Sequence, residues 1–307
     1  MSASFASALH AAREAAASQH YPHGALYVVA TPIGNLADIT LRALHVLGLA
    51  DAVACEDTRH TQALLRAYGI DKTASQLIAV HQHNEAQAAQ TIVERLQQGQ
   101  RIAYASDAGT PAVSDPGARL VAAVRAAAQP VVPLPGASSV TTALSVAGVA
   151  EGSGFVFAGF LPAKTTERET AVLALAQETR AVVLLEAPHR IEALAQALAA
   201  LGGRKLTVGR EMTKQFEQIT DVAAAELPAW LAAEASRTRG EFVLVLHPAP
   251  AAPAAADGER VLALLLQELP LKTAVKLAAD ITGAPRNTLY EQALALKNSE
   301  PRRPESA

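Results

Sequence analysis

Short apolar runs alternate with longer stretches of helical periodicity along most of the chain, and this alternation limits the possible folds more than any other feature. The runs predict strands, and stretches such as Glu85–Gln98 and Ile191–Leu201 predict helices. Such a β-α-β-α rhythm is typical of a largely parallel sheet in an α/β fold. The predicted strands are Leu26–Ala30, Ala52–Cys55, Leu77–His81, Ile102–Ser106, Val131–Pro133, Phe155–Phe157, Val182–Glu186, Leu206–Arg210 and Phe242–Leu246.

Two breaks in this rhythm predict the domain organisation. Gly148–Gly154 contains three glycines and a serine, which indicates a boundary, and Pro248–Gly258 is rich in Pro and Ala, which indicates a linker. A length of 307 residues fits two domains with an appendage. We therefore expect a flexible extension over residues 1–22 and two α/β domains over residues 23–148 and 149–247. A linker over residues 248–258 and a helical module over residues 259–307 should follow.

The last segment has a purely helical pattern. A helix from Leu271, a turn at Thr282–Pro285 and a second helix from Arg286 have the spacing of a helix-turn-helix. From Gly258 onward there are seven Lys and Arg residues against six Asp and Glu, so the segment is nearly neutral. A module that contacts nucleic acid and a helical hairpin that packs on the body or on a partner subunit both remain open.

Composition and charge exclude several classes. With 50% hydrophobic and 18% charged residues, the chain is typical of a soluble globular protein, and a net charge of -3 confines any nucleic-acid contact to a local patch. The sequence has no run of about 18 uncharged apolar residues, and the first twenty residues lack the features of a secretory signal. A single cysteine, Cys55, excludes an intramolecular disulfide and favours a cytoplasmic location.

Three predicted strands end in loops rich in small residues that lead into helices. The loops are ATPIGNLADIT from Ala30, SDAGTPAVSDPG from Ser106 and PLPGASS from Pro133, and Asp38 or Thr40 is a candidate N-cap for the helix after the first. Open α/β sheets bind ligands at the carboxyl ends of their strands, where small residues let the backbone approach a ligand. The loops therefore predict a binding cleft, although they match neither the P-loop nor the dinucleotide fingerprint.

These loops, together with CEDTRHT, GFLPAK, EAPHR, GREMTK and GEFVLV, resemble the tetrapyrrole-methylase superfamily in order from about Gly24 to His247. The resemblance implies a two-domain α/β fold with a cofactor cleft between the domains, S-adenosyl-L-methionine as the cofactor, and a homodimer. Within the superfamily, the chain resembles the members that 2′-O-methylate a cytidine in the decoding centre of 16S rRNA, in the 30S ribosomal subunit. The helical tail resembles their C-terminal helix-turn-helix domain.

The resemblance also implies which residues line the cofactor site. Asp107 offers an acceptor, while Ala108 and Gly109 keep the wall low enough for the backbone to touch the cofactor. The expected cofactor residues are Thr31, Pro32, Asp107, Gly109, Thr110, Pro111, Ser138 and Ser139 from the first domain, and Ala187, Met212 and Gly240 from the second.

Methyl transfer to a ribose hydroxyl needs a group that removes or stabilises its proton. Glu56, Asp57 and Glu186 follow or end predicted strands and are candidates, although Glu56 and Asp57 could instead cap a helix or pair with Arg59. His81 and His83 lack a third ligand at a suitable spacing, so we expect no metal. The cations expected to be exposed and to contact RNA phosphates are Arg59, Lys164, Arg168 and Arg190.

Two other functions remain open from the sequence. A different member of the superfamily would use the same fold and cofactor on a tetrapyrrole or a protein side chain, but the EDTR and GFLPAK motifs and the helical tail disfavour this. A non-catalytic RNA-binding or ribosome-assembly factor would retain only the cofactor site. Methyl transfer to purified small subunits would separate the last possibility from an enzyme.

Overall fold

The computed structural model describes residues 5–81, 84–113, 117–149, 154–249 and 254–299. It divides into two compact units, residues 1–248 and 249–307. The strands in the described residues are β1 Leu26–Val29, β2 Ala52–Cys55, β3 Leu77–Ala79, β4 Ile102–Ala105, β5 Val131–Leu134, β6 Phe155–Gly159, β7 Ala181–Glu186, β8 Lys205–Arg210, β9 Gln218–Ala223 and β10 Phe242–Leu246. The helices are α1 Ala6–Ala16, α2 Leu41–Leu49, α3 Thr58–Ala67, α4 Glu85–Gln97, α5 Gly117–Ala126, α6 Ser139–Ala147, α7 Thr165–Leu175, α8 Ile191–Leu198, α9 Leu227–Ala232, α10 Ala254–Glu268, α11 Leu271–Thr282 and α12 Arg286–Ser299.

The first sheet is parallel throughout, with the strand order β3-β2-β4-β1-β5. Helices cover both faces: residues of α1, α2 and α3 form one apolar cluster, and residues of α4 and α5 form another. Because the central strands are buried on both faces, they are continuous apolar runs, which is why the sequence revealed them.

The second sheet, in the order β6-β7-β10-β8-β9, is mostly antiparallel and only β6 and β7 run parallel. The expectation of a largely parallel sheet is therefore wrong for this half. Strand β9 was not predicted, because it lies at the edge of the sheet and its half-buried and exposed positions include the polar Gln218, Thr220 and Asp221.

The two sheets belong to one compact unit, and helix α6 connects them. Val140, Ala143 and Ala147 of α6 pack with Val183 and Val245 of the second sheet. The expected boundary at residue 149 separates the residues of the two sheets along the chain. The apolar cluster, however, contains residues from both sides of this boundary.

Two further segments differ from the expectation. Residues 6–16 form α1, and its Ala12 and Ala16 are buried in the core of the first sheet, so this stretch is not a flexible extension. Helix α10 begins at Ala254, inside the expected linker over residues 248–258. The physical reason in both cases is an alanine-rich sequence, which forms helices readily but gives a weak pattern of apolar residues.

The second unit is a three-helix module around its own core. Helix α11 ends at Gly283, which takes a left-handed conformation at φ +70°, and α12 begins three residues later. Ala279 and Leu289 are buried on either side of this turn, as the helix-turn-helix spacing predicted. No helix of the described residues has both the length and the apolar character needed to cross a membrane.

Candidate functional site

Three loops meet at the carboxyl ends of the first sheet. The backbone amides of Thr31 and Gly109 donate to each other's carbonyl oxygens, both at 3.0 Å. The Thr110 hydroxyl donates to the carbonyl oxygen of Ala137 at 3.0 Å, which ties in the third loop. The three glycine-containing loops predicted from the sequence therefore form one connected rim, and Thr40 rather than Asp38 caps α2.

The second sheet supplies the opposite wall. Because β10 runs antiparallel to β7 and β8, its first residues lie beside the last residues of those two strands. A cavity of about 320 Å³ lies between the walls. Its lining residues are Ile33, Ala108, Ser139, Phe160, Leu185, Glu186, Ala187, Pro188, Gly209, Met212, Glu241, Phe242 and Val243.

Of the eleven expected cofactor residues, Ser139, Ala187 and Met212 line this cavity directly. Thr31, Pro32, Asp107, Gly109, Thr110 and Ser138 are within two residues of a lining position, and Gly240 directly precedes Glu241. The Thr31 side chain is buried and its hydroxyl donates to the carbonyl of Ser106 at 3.2 Å, so it fixes the loop. Thr110 and Pro111 lie on the same loop, beyond Gly109.

The sequence reasoning missed several lining residues, including Phe160, Pro188 and Glu241. Each belongs to a motif quoted for the family resemblance, GFLPAK, EAPHR or GEFVLV, so the signal was present. The sequence did not reveal that β10 pairs antiparallel with β7, and this pairing brings the start of β10 to the cleft.

A strained turn holds Met212 in the wall. Glu211 and Thr213, on either side of Met212, have φ +52° and +66°, values that cost free energy for residues with a Cβ atom. Lys214 donates to Glu211 Oε1 at 2.7 Å and to Glu241 Oε2 at 3.0 Å. These contacts outweigh the burial of the Lys214 ammonium and raise its pKa. The ion pairs fix the turn in its unusual conformation.

The first-sheet rim contacts this turn at Gly34. A Cβ atom on Gly34 would lie 2.5 Å from Lys214 Cγ and 2.9 Å from Thr213 Oγ1, so only glycine fits without a shift of the neighbours. The two walls of the cleft are therefore in direct contact at this point.

Glu186 lines the cavity, and its carboxylate is buried. Its side chain is 1% exposed, and Oε1 accepts from the Ala187 amide at 2.9 Å and forms an ion pair with Arg190, whose Nε lies 3.2 Å away. Within the described part of the chain, no group donates to its Oε2, which is also buried. A buried oxygen without a donor is costly, so this atom is suited to a donor on a bound molecule.

Asp57 has a different role from the one expected of a base. Its Oδ1 accepts from the backbone amides of Arg59 at 2.8 Å and His60 at 3.4 Å, which caps α3. These backbone hydrogen bonds lower the pKa of the Asp57 carboxyl. The Asp57 amide donates to Asp107 Oδ1 at 3.4 Å, which ties this strand end to the rim. The capping alternative weighed from the sequence describes this residue best.

The four cations expected to meet RNA differ in exposure. Arg59 is 93% exposed and Lys164 is 80% exposed. Arg168 is buried and donates to the carbonyl oxygen of Ala163 at 2.9 Å, so the expectation of an exposed Arg168 is wrong. Arg190 is 25% exposed, forms an ion pair with Glu186 and donates to the carbonyl oxygen of Leu161, which gives it a supporting role in the wall. The sequence could not show these carbonyl partners.

Cys55 ends β2 directly before Glu56 and is fully buried. Burial raises the pKa of its thiol from 9.0 to about 11. The described residues contain no group of three side chains able to hold a metal ion, and His83 lies outside them.

The buried thiol gives a test of the packing around this strand end. At pH 8 the thiolate fraction of Cys55 is expected to be roughly a hundredfold below that of an ordinary thiol. A disulfide reagent should therefore modify Cys55 only after the protein is unfolded in guanidinium, as measured by release of the coloured thiol. Stoichiometric modification of the native protein within minutes would contradict the burial.

Comparison with known proteins agrees with this architecture. The family model for Tetrapyrrole (Corrin/Porphyrin) Methylases matches residues 25–228, and the model for the RsmI C-terminal HTH domain matches residues 252–297. A uroporphyrin-III C-methyl transferase from Thermus thermophilus, complexed with S-adenyl homocysteine, aligns with a TM-score of 0.51 at 18% identity, over 72% of this chain and 96% of that one. The fold and the cleft at its strand ends thus define a tetrapyrrole methylase.

Two curated relatives narrow this class. Ribosomal RNA small subunit methyltransferase I of Escherichia coli O157:H7 is 48% identical over 88% of this chain and 95% of its own length. The enzyme of that name from Neisseria meningitidis serogroup B is 48% identical over 92% of this chain and 97% of its own. The chain belongs to the ribosomal RNA small subunit methyltransferase I family.

Proposed function

We propose that the protein transfers a methyl group from S-adenosyl-L-methionine to the 2′-hydroxyl of a cytidine in the decoding centre of 16S rRNA. The observation that carries the proposal is the cleft between the two sheets, which the motifs of this family form. One of its lining residues, Glu186, has a buried carboxylate oxygen to which no group of the described residues donates. We further propose that it acts in the cytoplasm on the 30S subunit, as a homodimer.

The residues of the cleft fit this cofactor. Ile33, Ala108 and Met212 give the cavity apolar walls suited to the uncharged parts of the molecule, and a volume of about 320 Å³ lies at the lower end of the range for small-molecule sites. Glu186 Oε2 is suited to accept from the ammonium group or a ribose hydroxyl. When bound, S-adenosylmethionine supplies a methyl group that an attacking oxygen takes up as the carbon–sulfur bond breaks.

The protein must then position the ribose and take up its proton. Glu56 is half-buried directly after β2, on the same sheet edge as the rim. We propose that its carboxylate accepts the proton of the 2′-hydroxyl. Glu186 is buried and forms an ion pair with Arg190, and we assign it to binding rather than to proton transfer. Asp57 caps α3 and keeps the neighbouring Glu56 in place.

The proposal is tested with a labelled methyl group. Purified 30S subunits that lack the native modification are incubated with the protein and labelled S-adenosylmethionine, and the product is mapped by nuclease resistance and mass spectrometry. A single 2′-O-methylcytidine in 16S rRNA is the expected result. Binding of the cofactor without transfer to RNA would overturn the proposed substrate and direct the search to small molecules or proteins.

The contact at Gly34 yields a second test of the cleft. Gly34→Ala places a methyl group against Lys214 and Thr213, so we expect the protein to lose about 1–3 kcal/mol of stability through overpacking. The shifted turn also displaces Met212, so the Kd for S-adenosylmethionine should rise several-fold. The control is Gly48→Ala in α2, where an added Cβ meets nothing within 4 Å. Equal melting temperatures and equal Kd values for the two variants would show that the walls do not touch as described.

A further inference from the structure

We infer that the ring of Phe160 stacks on the base of the target nucleotide, so that the enzyme accepts an unstacked nucleotide whose base lies at the mouth of the cleft. This inference rests on the proposed function, because it requires an RNA substrate. It adds a residue that binds the base, whereas the other residues discussed bind the cofactor or serve the ribose hydroxyl.

Phe160 combines exposure with a place in the cavity wall. Two aromatic side chains line the cavity, Phe160 and Phe242. Phe242 is 2% exposed and belongs to the core, whereas Phe160 is 53% exposed. Exposure alone has little meaning, since isolated apolar residues are common on protein surfaces. An exposed ring in the wall of a cleft is a different case, because a ligand bound in that cleft contacts the ring.

The loop that presents Phe160 is fixed in place. Gly159, at the end of β6, takes φ +62° and turns the chain. Leu161 is buried in the core of the second sheet, and its carbonyl oxygen accepts from Arg190 Nη2. The carbonyl oxygen of Ala163 accepts from the buried Arg168 at 2.9 Å. Two arginines expected to contact RNA therefore hold this loop instead.

A rigid platform suits recognition of a flat ligand. Binding to a ring that is already positioned loses little conformational entropy, and every nucleobase has a π-face that stacks on an aromatic ring. Lys164 follows Phe160 by four residues in the same motif, and its exposed ammonium lies 3.0 Å from Glu167 Oε1. Aromatic and cationic side chains are the usual contacts to a base and its phosphate.

The proposed chemistry also calls for such a contact. A 2′-hydroxyl can reach a methyl group inside a cleft only if its nucleotide leaves the stacked strand, and enzymes compensate the lost stacking with aromatic side chains. Phe160 at the mouth and Glu186 deeper in the same cavity place base and cofactor on neighbouring parts of the wall.

The experiment compares four proteins: the wild type, Phe160→Leu, Phe160→Tyr and Phe155→Leu. Leucine keeps the apolar bulk but removes the π-face, and tyrosine restores it. Phe155 is the matched control, because it is 50% exposed and lies at the opposite end of the same strand. Methyl transfer to unmodified 30S subunits is measured over a range of subunit concentrations, and the Kd for S-adenosylmethionine is measured by calorimetry.

We expect Phe160→Leu to lower kcat/KM for the subunits by about tenfold or more, which corresponds to the loss of one base–aromatic stack. Phe160→Tyr should stay within about twofold of the wild type, and Phe155→Leu should match it. Because leucine and tyrosine keep the apolar bulk that Phe160 gives the cavity wall, the Kd for the cofactor should stay within about twofold in all four proteins. Wild-type kinetics for Phe160→Leu, or a loss explained by weaker cofactor binding, would overturn the stacking role while leaving the RNA substrate intact. Absence of transfer by the wild type itself would overturn the proposed function and this inference with it.

Discussion

Asp107→Ala is expected to abolish binding of S-adenosylmethionine while leaving the fold intact. Asp107 lies on the loop after β4, directly before the lining residue Ala108, and its side chain is exposed rather than packed in the core. Its one described hydrogen bond, from the Asp57 amide to Oδ1, is long at 3.4 Å. Removing the carboxylate therefore takes away an acceptor for the cofactor but little of the packing.

The measurement is calorimetric titration of the purified variant with S-adenosylmethionine, together with its melting temperature. Asp71→Ala is the matched control, because Asp71 is an exposed aspartate before β3, at the opposite edge of the sheet. We expect no detectable heat for the Asp107 variant at concentrations that saturate the wild type and the control. An unchanged affinity would remove Asp107 from the cofactor site. A large fall in its melting temperature would instead assign it a role in the loop structure.

The contrast between the two sheets shows what a single sequence can reveal. The central strands of the first sheet were predicted because parallel strands buried on both faces are uninterrupted apolar runs, and β1, β4 and β5 each end in a loop of small residues. Strand β9 has exposed polar residues and pairs only with β8, so neither its composition nor its neighbours marked it. Propensity and periodicity identify buried strands far better than edge strands.

The same limit applies to the site. The rim loops and Met212 were found because small residues and family motifs mark them in the sequence. The roles of Arg168 and Arg190 depend on backbone carbonyl oxygens of the loop after β6. Because every residue has a backbone carbonyl group, the residue type does not indicate which one accepts from an arginine. A charged residue in a motif therefore indicates that a position matters, while only the fold tells whether it meets a ligand or holds a loop.

The choice among the three candidate carboxylates illustrates this point. All three end or follow strands, so the sequence could not rank them. In the structure, Asp57 is engaged with the first amides of α3, and the Glu186 carboxylate is paired with Arg190. We propose Glu56 as the base because it is half-buried directly after β2, at the sheet edge that carries the rim loops.

Glu56→Gln is accordingly expected to lower kcat for methyl transfer by about 10²–10⁴-fold, the usual contribution of a general base. Glutamine has nearly the same shape but cannot accept the proton of the 2′-hydroxyl, so the Kd for S-adenosylmethionine and the melting temperature should match the wild type. Single-turnover transfer to unmodified 30S subunits measures the chemical step directly. The single-turnover rate of this variant should stay low as the pH is raised, because no side chain replaces the missing base. Recovery is expected only at the upper end of the pH range, where hydroxide can take up the proton.

Two companion variants make the assignment decisive. Asp57→Asn keeps an oxygen that can accept from the amides of α3, so it should retain most of the activity. Glu186→Gln should weaken cofactor binding more than it lowers the single-turnover rate at saturating cofactor, because Glu186 faces the cavity with an oxygen suited to binding. If Glu56→Gln is fully active and Glu186→Gln loses the chemical step instead, the base lies in the wall of the second sheet, and the pairing with Arg190 must break when the substrates bind.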